Sequence, residues 1–167
     1  LSHSKEEEIA RDYLCFGKSD YTIVICDATQ LQRNLNLVLQ TIEITPNVLV
    51  LVNLIDEAKK KGIYINQDKL SDILGVPVKC ISARKDKNLK EIPSMLTKNT
   101  TPFKTDYKTL ESSICTIEKE LKKHTKFKNT RLLSIKLLEN DESFLKSFKE
   151  HQKENLFDNI ALKKTVL

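Results

Sequence analysis

Val48-Leu49-Val50-Leu51-Val52-Asn53-Leu54-Ile55-Asp56 is the stretch that decides the fold. Five aliphatic residues in a row, with no polar alternation, read as a strand buried on both faces, the pattern of a parallel sheet covered on either side. The run ends on a polar residue. Upstream, Tyr21 to Cys26 (Tyr-Thr-Ile-Val-Ile-Cys) is of the same kind, predicted to be buried on both faces and stopping at Asp27. Between them Leu31, Leu35, Val38, Leu39 and Ile42 recur at helical spacing until Pro46 ends the helix. The order is therefore strand, helix, strand, which calls for parallel strands joined by a crossover and for ligands at the strands' carboxyl ends.

Outward from this core the pattern continues. Asp56 to Lys61 and Asp68 to Leu74 read as short helices closed by Gly62 and Gly75, Val76 to Ile81 as a third strand, and Leu89 to Leu96 as a helix. Toward the amino end, Ser4 followed by Glu6, Glu7 and Glu8 marks a helix start, and Ile9, Tyr13, Leu14 and Phe16 form its apolar stripe up to Gly17. The sequence Lys98-Asn-Thr-Thr-Pro102 reads as a linker. Beyond it no strand-like run follows: Tyr107 to Leu121, Leu132 to Leu138 and Phe144 to Phe148 carry three amphipathic helices of a small bundle. The expected boundary divides residues 1–97 from residues 98–167.

Composition agrees with a folded, mainly helical α/β chain. Its 167 residues are 40% hydrophobic and 31% charged, with three Gly, four Pro and no Trp, too apolar for disorder and too poor in turn formers for an all-β fold. The longest apolar run, five residues, is far short of the roughly 20 that cross a bilayer, so the chain itself is expected to be soluble. Its amino end lacks the features of a secretory signal and an initiator Met, which suggests a fragment. Cys15, Cys26, Cys80 and Cys115 have no zinc or redox spacing and are expected to be buried free thiols in a reducing cytosol. His3, His124 and His151 are far apart and read as surface residues, and Asp141 with Glu142 as helix-start carboxylates. No metal ligand is assigned. Residues 1–97 hold 13 Lys and Arg against 13 Asp and Glu and residues 98–167 hold 15 against 10, so the net +5 lies in the carboxyl part. The basic residues there are interleaved with acids, as on a solvated helix face, and no nucleic-acid partner is expected.

The chemistry concentrates at two strand ends. Asn53-Leu54-Ile55-Asp56 follows one strand, and Ile81-Ser82-Ala83-Arg84 follows another about 25 residues later. Guanine presents two adjacent donors, N1–H and the exocyclic amine, and an ionised carboxylate accepts both at once. Asp56 is read as that acceptor. Asn53 would hold the neighbouring loops and reach the base's Hoogsteen edge, the Ala83 amide would donate to the O6 carbonyl that adenine lacks, and Ser82 would shape the turn. The wrong base would leave buried polar groups unpaired. An isolated Asn-x-x-Asp is most often a turn or cap; the two motifs together, at strand ends, point to guanine.

Five stretches carry a family resemblance: Glu-Glu-Glu-Ile-Ala-Arg-Asp-Tyr-Leu (6–14), Asp-Ala-Thr-Gln-Leu-Gln-Arg-Asn-Leu (27–35), Asn-Leu-Ile-Asp-Glu-Ala (53–58), Leu-Gly-Val-Pro-Val (74–78) and Ile-Ser-Ala-Arg-Lys (81–85). They resemble the N-terminal cytosolic GTPase of the FeoB ferrous-iron transporters. Arg131 to Asp141 is similar to the Arg-Trp-x-x-x-Lys-Leu-Leu-Glu-Gly-Asp stretch of that family's helical domain, with Leu132 and Asn140 in place of Trp and Gly. The resemblance implies a Ras-like α/β domain of the P-loop NTPase type, followed by a helical domain that stabilises the GDP-bound form. It also implies GTP or GDP as ligand, Mg²⁺ in the intact parent, and a membrane-embedded Fe²⁺ pathway in the same parent, at the cytoplasmic face of the membrane. Leu54 stands where the general Asn-Lys-x-Asp motif has Lys, an apolar residue being usual in this family.

The sequence contains no Gly-x-x-x-x-Gly-Lys-Ser/Thr and no Asp-x-Pro-Gly. The phosphate cradle and the hydroxyl that holds Mg²⁺ are thus missing from it, and by the family pattern the chain begins inside the second switch. Since phosphoryl transfer is catalysed mainly by positioning and charge neutralisation around the phosphates, the isolated chain is expected to show no measurable GTPase activity and poor nucleotide affinity. No residue is assigned a catalytic role; Asp27, Arg33 and Asn34 are read as structural. Two rival readings are an RNA- or ribosome-associated Ras-like GTPase fragment and a non-catalytic interaction module that self-associates through an uncovered sheet face and edge.

Overall fold

The computed structural model describes residues 5–85, 88–96 and 100–152. The helix start read at Ser4, His3 and the boundary at Thr97 and Lys98 lie outside them. Three strands, β1 (Thr22–Asp27), β2 (Val48–Asn53) and β3 (Val78–Cys80), form one parallel sheet in the order β1-β2-β3. The helix α1 (Lys5–Phe16) precedes them; α2 (Leu31–Ile44) links β1 to β2, and α3 (Ile55–Lys60) with α4 (Gln67–Leu74) links β2 to β3. After β3 come a 3-10 helix over Asn88–Met95 and then α5 (Glu111–His124), α6 (Thr130–Leu138) and α7 (Glu142–Gln152).

Contacts divide the chain into two compact units, one running from Gly17 to Lys104 and one combining α1 with the helices beyond Thr105. In this grouping α1 goes with the later helices rather than with the sheet. Phe16, at the end of α1, makes the apolar contact, 5.8 Å from Phe127 and 5.9 Å from Phe144, ring centre to ring centre, whereas Ile9 and Tyr13 of the expected stripe are 70% and 61% exposed. Arg11, Glu8 and Asp12 reach Ser143 and Ser147 of α7, with Glu8 accepting from Ser143 and Asp12 from Ser147 at 2.6 Å each. Phe16 and this polar seam join α1 to α7.

Within the sheet unit the central strand behaves as its sequence demands, with Val48 to Val52 all buried. One side of the sheet packs Val24, Cys26, Val48, Val50, Val52 and Val78 against α2 and α4. On the other side Leu49 and Leu51 meet Ile81, Leu89, Ile92 and Met95. That cover ends at β2. Ile23 and Ile25, in register with Leu49 and Leu51, are 45% and 64% exposed. Among the described strands β1 lies at one edge with only its Val24 and Cys26 face packed, so the burial on both faces expected for it is not seen in this chain.

Two further elements differ from expectation. The third strand is three residues long rather than six, because Pro77 lacks the amide needed to extend the ladder and accepts instead from Val50 at 2.9 Å. The Leu89 to Leu96 helix is a 3-10 helix with Pro93 inside it. Gly75 ends α4 in a left-handed conformation, φ +65°, where a Cβ would fall on the Thr101 carbonyl, so the strap through Thr101 passes at glycine range. Of the four thiols Cys26 is buried, Cys15 and Cys80 are partly covered and Cys115 is exposed, so Cys115 departs from the expected burial. It lies on the solvent side of α5, between the buried Ile114 and Ile117.

In the helical unit Leu121, Leu133, Phe144 and Phe148 are fully enclosed. The Arg131 to Asp141 stretch is built of fasteners. Arg131 forks onto Glu111 at 2.7 and 3.0 Å and donates to the Thr105 carbonyl at 3.0 Å. Lys136 pairs with Glu139 and Asp141, and Asp141 caps α7 by accepting from the Phe144 amide at 3.0 Å, the helix-start role read for it.

Candidate functional site: two strand ends tied together

Parallel pairing sets the carboxyl ends of β2 and β3 side by side, with Val52 opposite Cys80. The ladder continues past both: Ile81 donates to the Val52 carbonyl at 2.8 Å and Ile55 donates to the Ile81 carbonyl at 3.2 Å. The loop after β2 and the loop after β3 are thus joined into one rim. Leu54 makes the turn into α3 with φ +61° and ψ +32°, a left-handed conformation uncommon for a branched residue. Its side chain, 41% exposed, stands on that rim as an apolar surface. The Leu54 carbonyl accepts from Glu57 and Ala58, and the full burial of Ala58 pins the first turn of α3, which carries Asp56.

The four residues assigned from sequence, Asn53, Asp56, Ser82 and Ala83, come together here. The Ser82 hydroxyl donates to Asp56 Oδ1 at 2.9 Å, and Ser82 is 6% exposed, so this tether belongs to the core. The Ala83 amide donates to Asn53 Oδ1 at 3.0 Å, so Asn53 does hold the neighbouring loop. The group read as the donor to O6 therefore has a partner within the protein. Lys85, to which sequence reading gave no role, pairs with Asp56 Oδ2 at 2.7 Å. Its own amide donates to the Ser82 carbonyl at 2.8 Å, a tight turn that folds the lysine back toward the carboxylate. A lysine three residues after the serine was the available signal.

The electrostatics follow from these contacts. The Lys85 ammonium, then the Ser82 hydroxyl, hold the Asp56 carboxyl down at about 2, against a small opposing effect of burial. Asp56 is an anion at any physiological pH, with its two oxygens on separate partners. Asp27, at the end of β1, and Asn34, in the first turn of α2, serve the local chain: Asp27 Oδ1 accepts from the Thr29 amide at 2.7 Å and Asn34 Oδ1 from the Asp27 amide at 3.0 Å. Among the described residues no group of three or more His, Cys, Asp or Glu is placed to hold a metal ion, and no helix is long and apolar enough to cross a membrane.

The family profile described as ferrous iron transport protein B matches residues 1–96, and a second, described as the FeoB cytosolic helical domain, matches residues 107–164. The chain belongs to the FeoB family. A relative named Fe(2+) transporter FeoB from Helicobacter pylori strain J99 is 39% identical over 103 residues, which are 58% of this chain and 16% of that protein. The FeoB of Staphylococcus aureus strain MSSA476 is 37% identical over 89 residues, 53% of this chain and 13% of that protein. The chain thus spans a small fraction of its curated relatives.

Solved FeoB structures extend the likeness over both units. The cytosolic domain of T. maritima FeoB in a GDP form is 30% identical, with a TM-score of 0.77 over 99% of this chain and 68% of that one. A mutant S. thermophilus NFeoB bound to mGDP is 32% identical, with a TM-score of 0.81 over 98% of this chain and 62% of that one. The fold is therefore that of the FeoB G domain, a parallel sheet with flanking helices, followed by the FeoB helical domain.

Proposed function

We propose that the rim formed by Asn53, Asp56, Ser82 and Ala83 is a guanine-binding site, and that the chain supplies the base-recognising part of a FeoB-type transporter's cytosolic GTPase. The observation that carries this reading is the Ser82 to Asp56 tether. A carboxylate at the end of one strand, ionised and fixed in orientation by a buried hydroxyl from the next, is the acceptor that the paired donors of guanine require. In support, the FeoB neighbours include proteins solved in GDP, mGDP and mGMPPNP forms.

Within this reading residues 1–97 are the later part of a Ras-like G domain and residues 98–167 a helical domain that favours the GDP-bound form. The parent protein couples GTP binding and hydrolysis to Fe²⁺ uptake through its own transmembrane domain, with these residues at the cytoplasmic face of the membrane. Mg²⁺ does not fit the residues present, since the sequence has no Gly-x-x-x-x-Gly-Lys-Ser/Thr to supply the hydroxyl that would hold it. Binding by this chain rests on the base alone and is weak.

Titration of the 167-residue chain with GDP and, separately, ADP, followed by the amide resonance of Ala83, tests the reading. A saturable shift with GDP and none with ADP is expected. Equal responses to the two nucleotides would contradict it.

A further inference from the structure

The proposed guanine site holds more internal bonding than base recognition needs, and its two bonds to Asp56 differ in kind. Ser82 reaches Oδ1 from the core, 6% exposed. Lys85 reaches Oδ2 from the rim, its side chain 53% exposed and carried on a turn. One bond comes from the core; the other is a half-exposed cation resting on the second oxygen. A base that presents two adjacent donors takes both carboxylate oxygens from one side, and an ammonium 2.7 Å from Oδ2 sits where one of those donors belongs.

Resting on the guanine reading, we propose that Lys85 is an internal competitor for the base: its ammonium satisfies Asp56 in place of guanine and must leave Oδ2 before a guanine can pair with both oxygens. An ammonium on a four-carbon stem is suited to this, because its three donors rotate freely and it returns to water at little cost. Nearby charge does not take its place. Lys60 is held by Glu57 at 2.9 Å, and Arg84 is a near positive neighbour of Lys60. The pair also keeps the carboxylate ionised and aimed, so the site is formed at the moment a base arrives. Half-exposed ion pairs are weak, which makes Lys85 a competitor that lowers affinity modestly rather than a block.

The test compares the full chain with its Lys85→Met and Lys85→Arg variants. GDP binding to Lys85→Met is expected to tighten about two- to five-fold with ADP unchanged, and Lys85→Arg, which keeps the cation, to stay within two-fold of the parent. In Lys85→Met without nucleotide, the Asp56 carboxyl, followed by carbon-detected NMR, should rise from about 2 toward the usual carboxylate range. Unchanged or weakened GDP binding in Lys85→Met, or an unmoved Asp56, overturns the competitor role while leaving the guanine reading intact. If the parent and Asp56→Asn both treat GDP and ADP alike, the guanine reading falls and the competitor role falls with it.

Discussion

The Ser82 hydroxyl stands 2.9 Å from Asp56 Oδ1, a bond across 26 residues of sequence that ties the end of one strand to the end of its neighbour. Its removal by Ser82→Ala frees the carboxylate to rotate and takes away the second largest influence holding the Asp56 carboxyl low. The variant is expected to raise that value while leaving the Lys85 contribution in place, and to weaken GDP binding about three- to ten-fold, in line with the usual worth of a hydrogen bond to a charged group. NMR titration of the carboxyl and a GDP isotherm check both.

Asp56, held low by Lys85 first and Ser82 second, sets a pH dependence of stability. Asp56 has a folded value of about 2 against an ordinary 3.8, so the folded state binds fewer protons than the unfolded one in that interval. Its contribution is complete above about pH 5 and is lost as pH falls through 3.8 to about 2. Asp56→Asn should flatten the stability profile there and leave the profile above pH 5 parallel to the parent, as read by urea denaturation at stepped pH.

Gly75 and Gly62 make a matched comparison. Both have left-handed backbones, φ +65° and +72°, but only Gly75 faces a neighbour, the Thr101 carbonyl. Gly62→Ala should cost about 1 kcal/mol from backbone strain alone. Gly75→Ala should cost about 2–4 kcal/mol, because the strap through Thr101 must also move. Denaturation midpoints of the two variants decide the order.

Much of this architecture is legible in the sequence, and the misses share a cause. Val48 to Val52 announces a buried strand because nothing polar interrupts it, and its reading holds. Tyr21 to Cys26 has the same composition, yet Ile23 and Ile25 are exposed, since composition reports what a strand can bury and the neighbours decide what it does bury. Likewise chemistry and spacing single out Asn53, Asp56, Ser82 and Ala83, and the structure brings the four together. Their bonds to one another, and the arrival of Lys85 on Asp56, depend on a turn whose backbone geometry no residue type dictates. Leu89 to Leu96 has helical spacing, but Pro93 lacks a donor amide and the segment is wound as a 3-10 helix.

Cysteine reactivity should follow burial. Cys115 is exposed and Cys26 buried, and burial pushes the Cys15 thiol up to about 12, so little thiolate forms there. Iodoacetamide at neutral pH is expected to label Cys115 first and to leave Cys15 and Cys26 unmodified until the chain unfolds, as peptide mass mapping would show.

In the helical unit Arg131 and Glu111 form a two-bond fork at 2.7 and 3.0 Å with both side chains largely shielded. Arg131→Met should cost about 1–2 kcal/mol, more than an exposed ion pair, because Glu111 and the Thr105 carbonyl lose their donors together. A double-mutant cycle with Glu111→Gln, read by thermal unfolding, isolates the coupling.

Selectivity for one purine over the other, before and after Asp56→Ala, is the most direct measurement. The parent chain should prefer GDP to ADP, and the substitution should erase about ten- to hundred-fold of that preference by removing the acceptor for two donors at once, with ADP affinity unchanged. A GDP preference that survives Asp56→Ala undiminished would contradict the assignment of this rim to guanine.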